Sequence, residues 1–134
     1  MTYWLFKEEP EHYSFDDLVK DRKARWDGVR NNLALKHLRS IKKNDLVLYY
    51  HTGEEKAAVG IAKVTSNPYP NPEAKDPKIV VVDITPVEKL KRPVTLAEIK
   101  ANAKFKNLEL VRIPRLSVMP VPDTLWDEII KMSR

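Results

Sequence analysis

Residues 46–65 read LVLYYHTGEEKAAVGIAKVT, two β-branched and aromatic runs on either side of a short polar segment. Runs of this composition are typical of strands, and the polar segment 52–55 contains Gly53, which can turn the chain. We therefore predict a β-hairpin with strands over residues 46–50 and 57–65.

Further strands are predicted on both sides of the hairpin. Residues 3–6 form an aromatic run that suits a buried strand, and residues 79–84 are apolar on both faces up to Asp83. Residues 108–113 alternate as a half-buried strand does. Between residues 67 and 77, four prolines predict a stiff surface loop.

Helices are predicted from their start signals. Ser14 with Asp17 and Thr95 with Glu98 have the spacing of a capping box. An amphipathic helix should follow the turn that ends at Asn32, and a last helix should be capped by residue 123 or 124. Short strands and short helices without βαβ alternation predict an α+β domain on a small, mainly antiparallel barrel or curled sheet of five or six strands, one domain over residues 1–134.

Composition excludes several classes of protein. The chain has no Cys, which excludes a disulfide framework, a zinc ribbon and a thiol nucleophile, and its three Gly cannot build a phosphate-binding loop. His12, His37 and His51 lack metal-site spacing to carboxylates, so we expect no metal and no cofactor. Without a long apolar run or a signal-like N-terminus, we expect no membrane association and a cytoplasmic location, or a nuclear one in a eukaryote.

The positive charge is concentrated in one segment. The net charge is +5, but residues 20–43 alone hold nine basic residues against two acidic ones, a net +7, whereas residues 1–19 are acidic. Such a segment is either a solvated helix face or a surface for a polyanion. On the second interpretation, the residues that would hold a nucleic-acid backbone are Lys20, Lys23, Arg25, Lys36, Arg39, Lys42 and Lys43.

A turn with binding chemistry lies inside this basic segment. Trp26 stands between Arg25 and Asp27-Gly28 rather than on an apolar face, so it is the aromatic least typical of a core. Aromatic faces and fixed polar groups are what hold an unstacked base. The alternative is that Trp26 covers a helix junction. Asp27 and Asn31 can read a base or cap a helix, and the fork of Arg30 suits a phosphate or a base edge.

Catalysis has less support from the residues. No Ser is in a nucleophile-elbow context, and a lone His after a strand, such as His51, more often packs or forms hydrogen bonds. A nucleotide-processing enzyme with His51 or Asp27 as its base stays open as an alternative.

The motifs together resemble one family, the EVE domain, in their order and over nearly the whole chain. They are Tyr3–Pro10, Tyr13-Ser14, Trp26–Asn31, Tyr50–Thr52, Val59–Ala62, Pro93–Leu96 and Arg115–Val118. The resemblance implies a PUA-like pseudo-barrel with flanking short helices. It also implies a non-catalytic reader of nucleic acid that accepts a modified base. Modified cytosine in DNA is the first possibility for that base, and a modified RNA base is the second. The alternative function is general RNA binding.

The resemblance also implies a base pocket. Its residues would be Trp26, Asp27, Gly28, Val29, Arg30, Asn31, Tyr50, His51, Thr52, Arg115, Leu116 and Ser117, supported by Trp4, Lys7 and Ser14. One position departs from the family, which usually has Trp just before the central Val-Asp strand, where this chain has Ile79. If that Trp walls the pocket in relatives, this pocket is wider; if it covers the barrel, nothing functional changes.

Overall fold

The hairpin predicted at residues 46–65 lies in the middle of the sheet. In the computed structural model, which describes all 134 residues, strands over Leu46–His51 and Ala57–Val64 pair antiparallel and are buried almost throughout. The seven strands are β1 Tyr3–Glu8, β2 Ala24–Trp26, β3 Leu46–His51, β4 Ala57–Val64, β5 Tyr69–Pro70, β6 Val80–Thr95 and β7 Val118–Val121. The helices are α1 Pro10–Tyr13, α2 Phe15–Asp21, α3 Asn32–Ser40, α4 Leu96–Ala101, α5 Glu109–Arg112 and α6 Asp123–Met132, with a 3-10 turn at Ala103–Phe105.

The strand order is β2-β6-β4-β3-β1-β7, and β5 pairs with β6 outside this path. Five pairings are antiparallel, and only β1 runs parallel to its neighbour β3. The predicted α+β class and mainly antiparallel sheet with short flanking helices are confirmed. The strand number is higher than the predicted five or six, because β2 and β5 have three and two residues and are too short to show a period of two.

The sheet curls until its β2 edge meets β1, four strands away. The ring centroid of Trp26 on β2 lies 5.0 Å from that of Phe6 on β1. The bend is made along the pairing of β4 with the 16-residue β6, where the register shifts twice. Such irregularities increase the local twist and bend of a strand. The result is the pseudo-barrel that the sequence predicts.

Two helices, α2 and α4, start at the predicted capping boxes. The Ser14 hydroxyl accepts from the Asp17 N–H at 3.0 Å while the Asp17 carboxylate accepts from the Ser14 N–H at 2.9 Å, and Thr95 and Glu98 do the same for α4. The prediction for α6 is wrong in detail. Its N-cap is Pro122, without a side-chain cap, so Asp123 is already helical.

The strand predicted at residues 108–113 is also wrong. The segment is the single helical turn α5, with the Leu108 carbonyl accepting from the N–H groups of Val111 and Arg112. Its backbone groups pair locally, within the turn, rather than with a strand. Leu108 and Leu110 are both buried in this helical turn, which reproduces the alternation that predicted a strand.

Phe15, the first residue of α2, lies directly over Gly60 of β4. A Cβ atom at position 60 would stand 2.5 Å from the Phe15 ring. We expect Gly60→Ala to lower the free energy of unfolding by about 1–3 kcal/mol, because the ring would have to move within a packed core. Urea denaturation measures this change.

The matched control is the double variant Gly60→Ala, Phe15→Leu. Because Leu lacks the ring that the new methyl group meets, the double variant should lose less stability than the two single variants together. A Gly60→Ala protein as stable as the wild type would contradict the close approach.

Candidate functional site

Trp26 is a core residue, contrary to the prediction that it is the aromatic least typical of a core. It is 5% exposed, and its ring packs against Phe6 and, at 5.4 Å and nearly perpendicular, against Tyr49. The sequence did not predict this burial, because polar residues surround Trp26 and β2 is only three residues long. The pairing of β2 with β6 that buries the ring cannot be inferred from so short a strand. The small exposed part of the ring nevertheless lines two adjoining cavities.

The first, which we call the α2-side cavity, has a volume of about 300 Å³ and is of the size that takes small ligands. Its lining consists of Glu8, His12, Tyr13, Asp21, Lys23, Ala24, Arg25, Trp26 and Asp27. The Tyr13 hydroxyl donates to the Asp21 carboxylate at 2.8 Å. Desolvation and this bond raise the pKa of Tyr13 to about 12, so the phenol stays a donor at neutral pH.

The second, the turn-side cavity, has a volume of about 260 Å³. Its lining consists of Lys7, Glu8, His12, Trp26, Asp27, Gly28, Val29 and Ser117. The two cavities share Glu8, His12, Trp26 and Asp27 and therefore adjoin around one aromatic edge. Gly28 has a φ of +78°, which favours glycine at the bend of the turn.

Several polar groups of the cavities have bonding capacity left. Glu8 uses Oε1 for the Glu9 N–H and for His12, and its Oε2 has no partner. Asp27 uses Oδ2 for Arg25 at 3.5 Å, which leaves Oδ1 free, and the Ser117 hydroxyl makes no hydrogen bond. Carboxylate oxygens accept from amine and amide N–H groups, so a ligand here should carry N–H donors.

Lys7 contributes a cation to the turn-side cavity. Its ammonium donates to the Pro114 carbonyl at 2.7 Å and lies 5.8 Å from the centre of the Tyr50 ring. Burial lowers the pKa of Lys7. Two of its three protons stay available, so Lys7 can donate to a ligand while it anchors the loop before β7.

His51 does not line either cavity. Its Nε2 accepts from the buried Phe15 N–H at 3.0 Å, so Nδ1 carries the proton and donates to Glu55 at 2.7 Å. Both ring nitrogens are therefore occupied in holding the start of α2 to the end of β3. The imidazole has no free lone pair with which to act as a base.

The other predicted pocket residues that follow line neither cavity. Tyr50 and Leu116 are buried, and the Thr52 N–H donates to the carbonyl of Glu8. Asn31 caps α3 by accepting from the Ala34 N–H at 3.0 Å. Arg30 and Arg115 are exposed, each beside a residue or loop of the turn-side cavity.

The remaining supporting residues act at a distance. Trp4 donates to the buried Asp45 carboxylate at 2.9 Å, and Ser14 caps α2. Ile79 packs against the hydrophobic core and is not among the residues that line the two cavities around Trp26. Its place in this chain fits a residue that covers the barrel.

Charges near the α2-side cavity are largely paired. Lys23 lies 3.6 Å from Asp83, and Arg25 lies within 3.5 Å of both Asp27 and Glu73. Arg39 donates to the Lys78 carbonyl. The other lysines predicted to hold a backbone make no ion pair: Lys20, Lys36, Lys42 and Lys43. The net +7 of residues 20–43 is thus partly neutralised by acids from other parts of the chain.

Sequence reasoning missed Glu8, His12, Tyr13 and Asp21 as cavity residues. Glu8, His12 and Tyr13 belong to the acidic segment 1–19, whereas Asp21 lies near the start of the basic one. Only the curl of the sheet brings β1 and α1 against β2. The presence of Glu8 and Tyr13 in the family motifs was the one available signal. The structure also shows no group of three His, Asp or Glu side chains that could hold a metal ion, and no helix with the length and apolarity to cross a bilayer.

Comparison with known proteins gives consistent matches. A family model described as EVE domain matches residues 2–132. Thymocyte nuclear protein 1 of Mus musculus is 32% identical, over 98% of this chain and 73% of that protein. A Rhodopseudomonas palustris protein solved by NMR superposes with a TM-score of 0.94 at 39% identity, over 99% of this chain and 93% of that one. Human THYN1 protein, crystallised in complex with DNA containing 5-methylcytosine, superposes with a TM-score of 0.91 at 28% identity, over 100% and 98% of the two chains.

The burial of Trp26 gives a testable expectation. Trp26→Ala should lower the free energy of unfolding by about 3–5 kcal/mol, because it empties the space between Phe6 and Tyr49. Trp26→Phe keeps an aromatic ring there and should lose clearly less. Urea denaturation followed by circular dichroism measures both, and a decrease below about 1 kcal/mol for Trp26→Ala would contradict its place in the core.

Proposed function

Because the chain belongs to the EVE domain family, we propose that it is a nucleic-acid-binding protein that holds a modified base at the edge of Trp26 and does not alter it chemically. The base would enter the cavities as an unstacked or flipped-out nucleotide. DNA that carries a modified cytosine is the ligand we infer first.

The observation that carries this proposal is the pairing of an aromatic wall with free carboxylate oxygens. Trp26 lines both cavities, and Oε2 of Glu8 and Oδ1 of Asp27 have no partner. Cytosine presents an exocyclic amine, and Asp and Glu are the side chains that accept from it. The ammonium of Lys7 is a donor for the carbonyl on the same base edge.

Two further facts support the proposal. The human THYN1 protein, which shares this fold over 98% of its crystallised chain, was crystallised with DNA containing 5-methylcytosine. His51, which the sequence offered as a catalytic base, has both nitrogens engaged in structural hydrogen bonds. This removes His51 as one of the two candidate bases of the enzyme alternative and leaves Asp27 as the other.

Asp27→Ala is the sharpest variant for this site. Asp27 is half-exposed and its only contact is with Arg25, so the change should leave the fold intact. It should weaken binding of a short DNA oligonucleotide with one 5-methylcytosine by roughly 5- to 150-fold, because a good base-edge pair is worth about 1–3 kcal/mol. Fluorescence anisotropy at fixed salt measures the dissociation constant.

Asp16→Ala is the matched control. Asp16 is also an exposed aspartate with one basic partner, Lys89 at 3.0 Å, and it lines neither cavity. It should bind like the wild type. Equal binding of modified and unmodified DNA by the wild type would refute the reader function, and stronger binding of modified RNA would replace DNA by RNA as the ligand.

Mass spectrometry of the incubated oligonucleotide tests the enzyme alternative, which a converted base would establish.

A further inference from the structure

Two exposed arginines without a partner lie close in the chain to residues that line the turn-side cavity. Arg30 directly follows Val29, and Arg115 precedes Ser117 by two positions; Val29 and Ser117 both line that cavity. Both arginines are exposed. The arginine side chains that make hydrogen bonds or ion pairs within the protein are Arg25, Arg39 and Arg92, so the guanidinium groups of Arg30 and Arg115 are free.

The backbone next to each arginine is fixed. Lys7 binds the Arg115 loop twice, through its ammonium to the Pro114 carbonyl at 2.7 Å and through its N–H to the Ser117 carbonyl at 2.9 Å. On the other side, Arg30 is followed by Asn31, the cap of α3. The two arginines therefore project from anchored segments, which reduces the entropic cost of binding a ligand.

The turn that carries Arg30 also offers backbone donors. The N–H groups of residues 27–30 make no hydrogen bond within the protein. Guanidinium groups and backbone N–H groups are the usual partners of phosphate oxygens in nucleic-acid complexes. Arg25 and Lys23, by contrast, are already paired with acids and are less available to a phosphate.

We propose that Arg30 and Arg115 hold the two phosphates that flank the bound nucleotide, one on each side of the turn-side cavity. This inference rests on the proposed function and assigns the two arginines to the backbone rather than to the base. The arginines then fix the strand so that the base between the two phosphates is directed into the cavity, while base discrimination stays with the groups inside it.

The salt dependence of binding tests this assignment. Each phosphate that the protein neutralises adds about 0.9 to the slope of log K against log salt concentration for duplex DNA, or about 0.7 for a single strand. We expect the double variant Arg30→Gln, Arg115→Gln to have a slope shallower than the wild type by about twice that amount. Its ratio of affinities for 5-methylcytosine and cytosine oligonucleotides should match the wild type.

The control is Lys131→Gln, Arg134→Gln, which also removes two exposed and unpaired charges, at the end of α6. It should keep the wild-type slope. An unchanged slope in the arginine variant, or an equally shallow slope in the control, would overturn the inference. The inference would also be overturned if the double variant Lys42→Gln, Lys43→Gln were the only variant with a shallower slope than the wild type. A wild type that binds no nucleic acid at any salt concentration would refute the proposed function instead, so the two failures are distinguishable.

Discussion

The packing of Trp26 against Phe6 and Tyr49 is the interaction on which the rest of the structure depends. It joins the β2 edge of the sheet to β1 across the inside of the curl. Without it, a three-residue edge strand would have only its ladder with β6 to hold it. The same ring ends at the surface where β1, α1 and β2 meet, so closure of the sheet and formation of the two cavities have one cause.

The number of unpaired charges in the basic segment depends on the folded structure. Residues 20–43 have a net charge of +7, yet Lys23 meets Asp83 and Arg25 meets Glu73, both from other segments. Arg25 also meets Asp27 within the segment. Lys20, Lys36, Lys42 and Lys43 make no ion pair and are exposed, so solvent and a polyanion can reach them. The cavity itself is mixed in charge, with carboxylates beside Lys7. On the proposed function, the exposed cations attract the polyanion and the groups inside the cavity select the base.

The parts of the fold that depend on local chemistry could be predicted from the sequence. The capping boxes at Ser14 and Thr95 and the hairpin at 46–65 are set by neighbours in the chain, and all are present. What failed depends on distant partners. Alternation at 108–113 suits either a strand or one helical turn, and the segment forms the helical turn α5. Six of the residues that line the turn-side cavity were predicted from the sequence: Trp26–Val29, Lys7 and Ser117. Glu8 and His12 were not predicted, because they lie in the acidic segment and the prediction relied on the basic one.

The turn-side cavity is built from two ends of the chain. β1 pairs with β7, so residues 3–6 cannot complete this pairing before residues 118–121 are present. The Lys7 N–H donates to the Ser117 carbonyl as a continuation of the same pairing. Contacts between segments so far apart in sequence form slowly, and on the ribosome they cannot form before the later segment has emerged. A nascent chain therefore has no completed cavity until Ser117 and the residues of β7 have been synthesised.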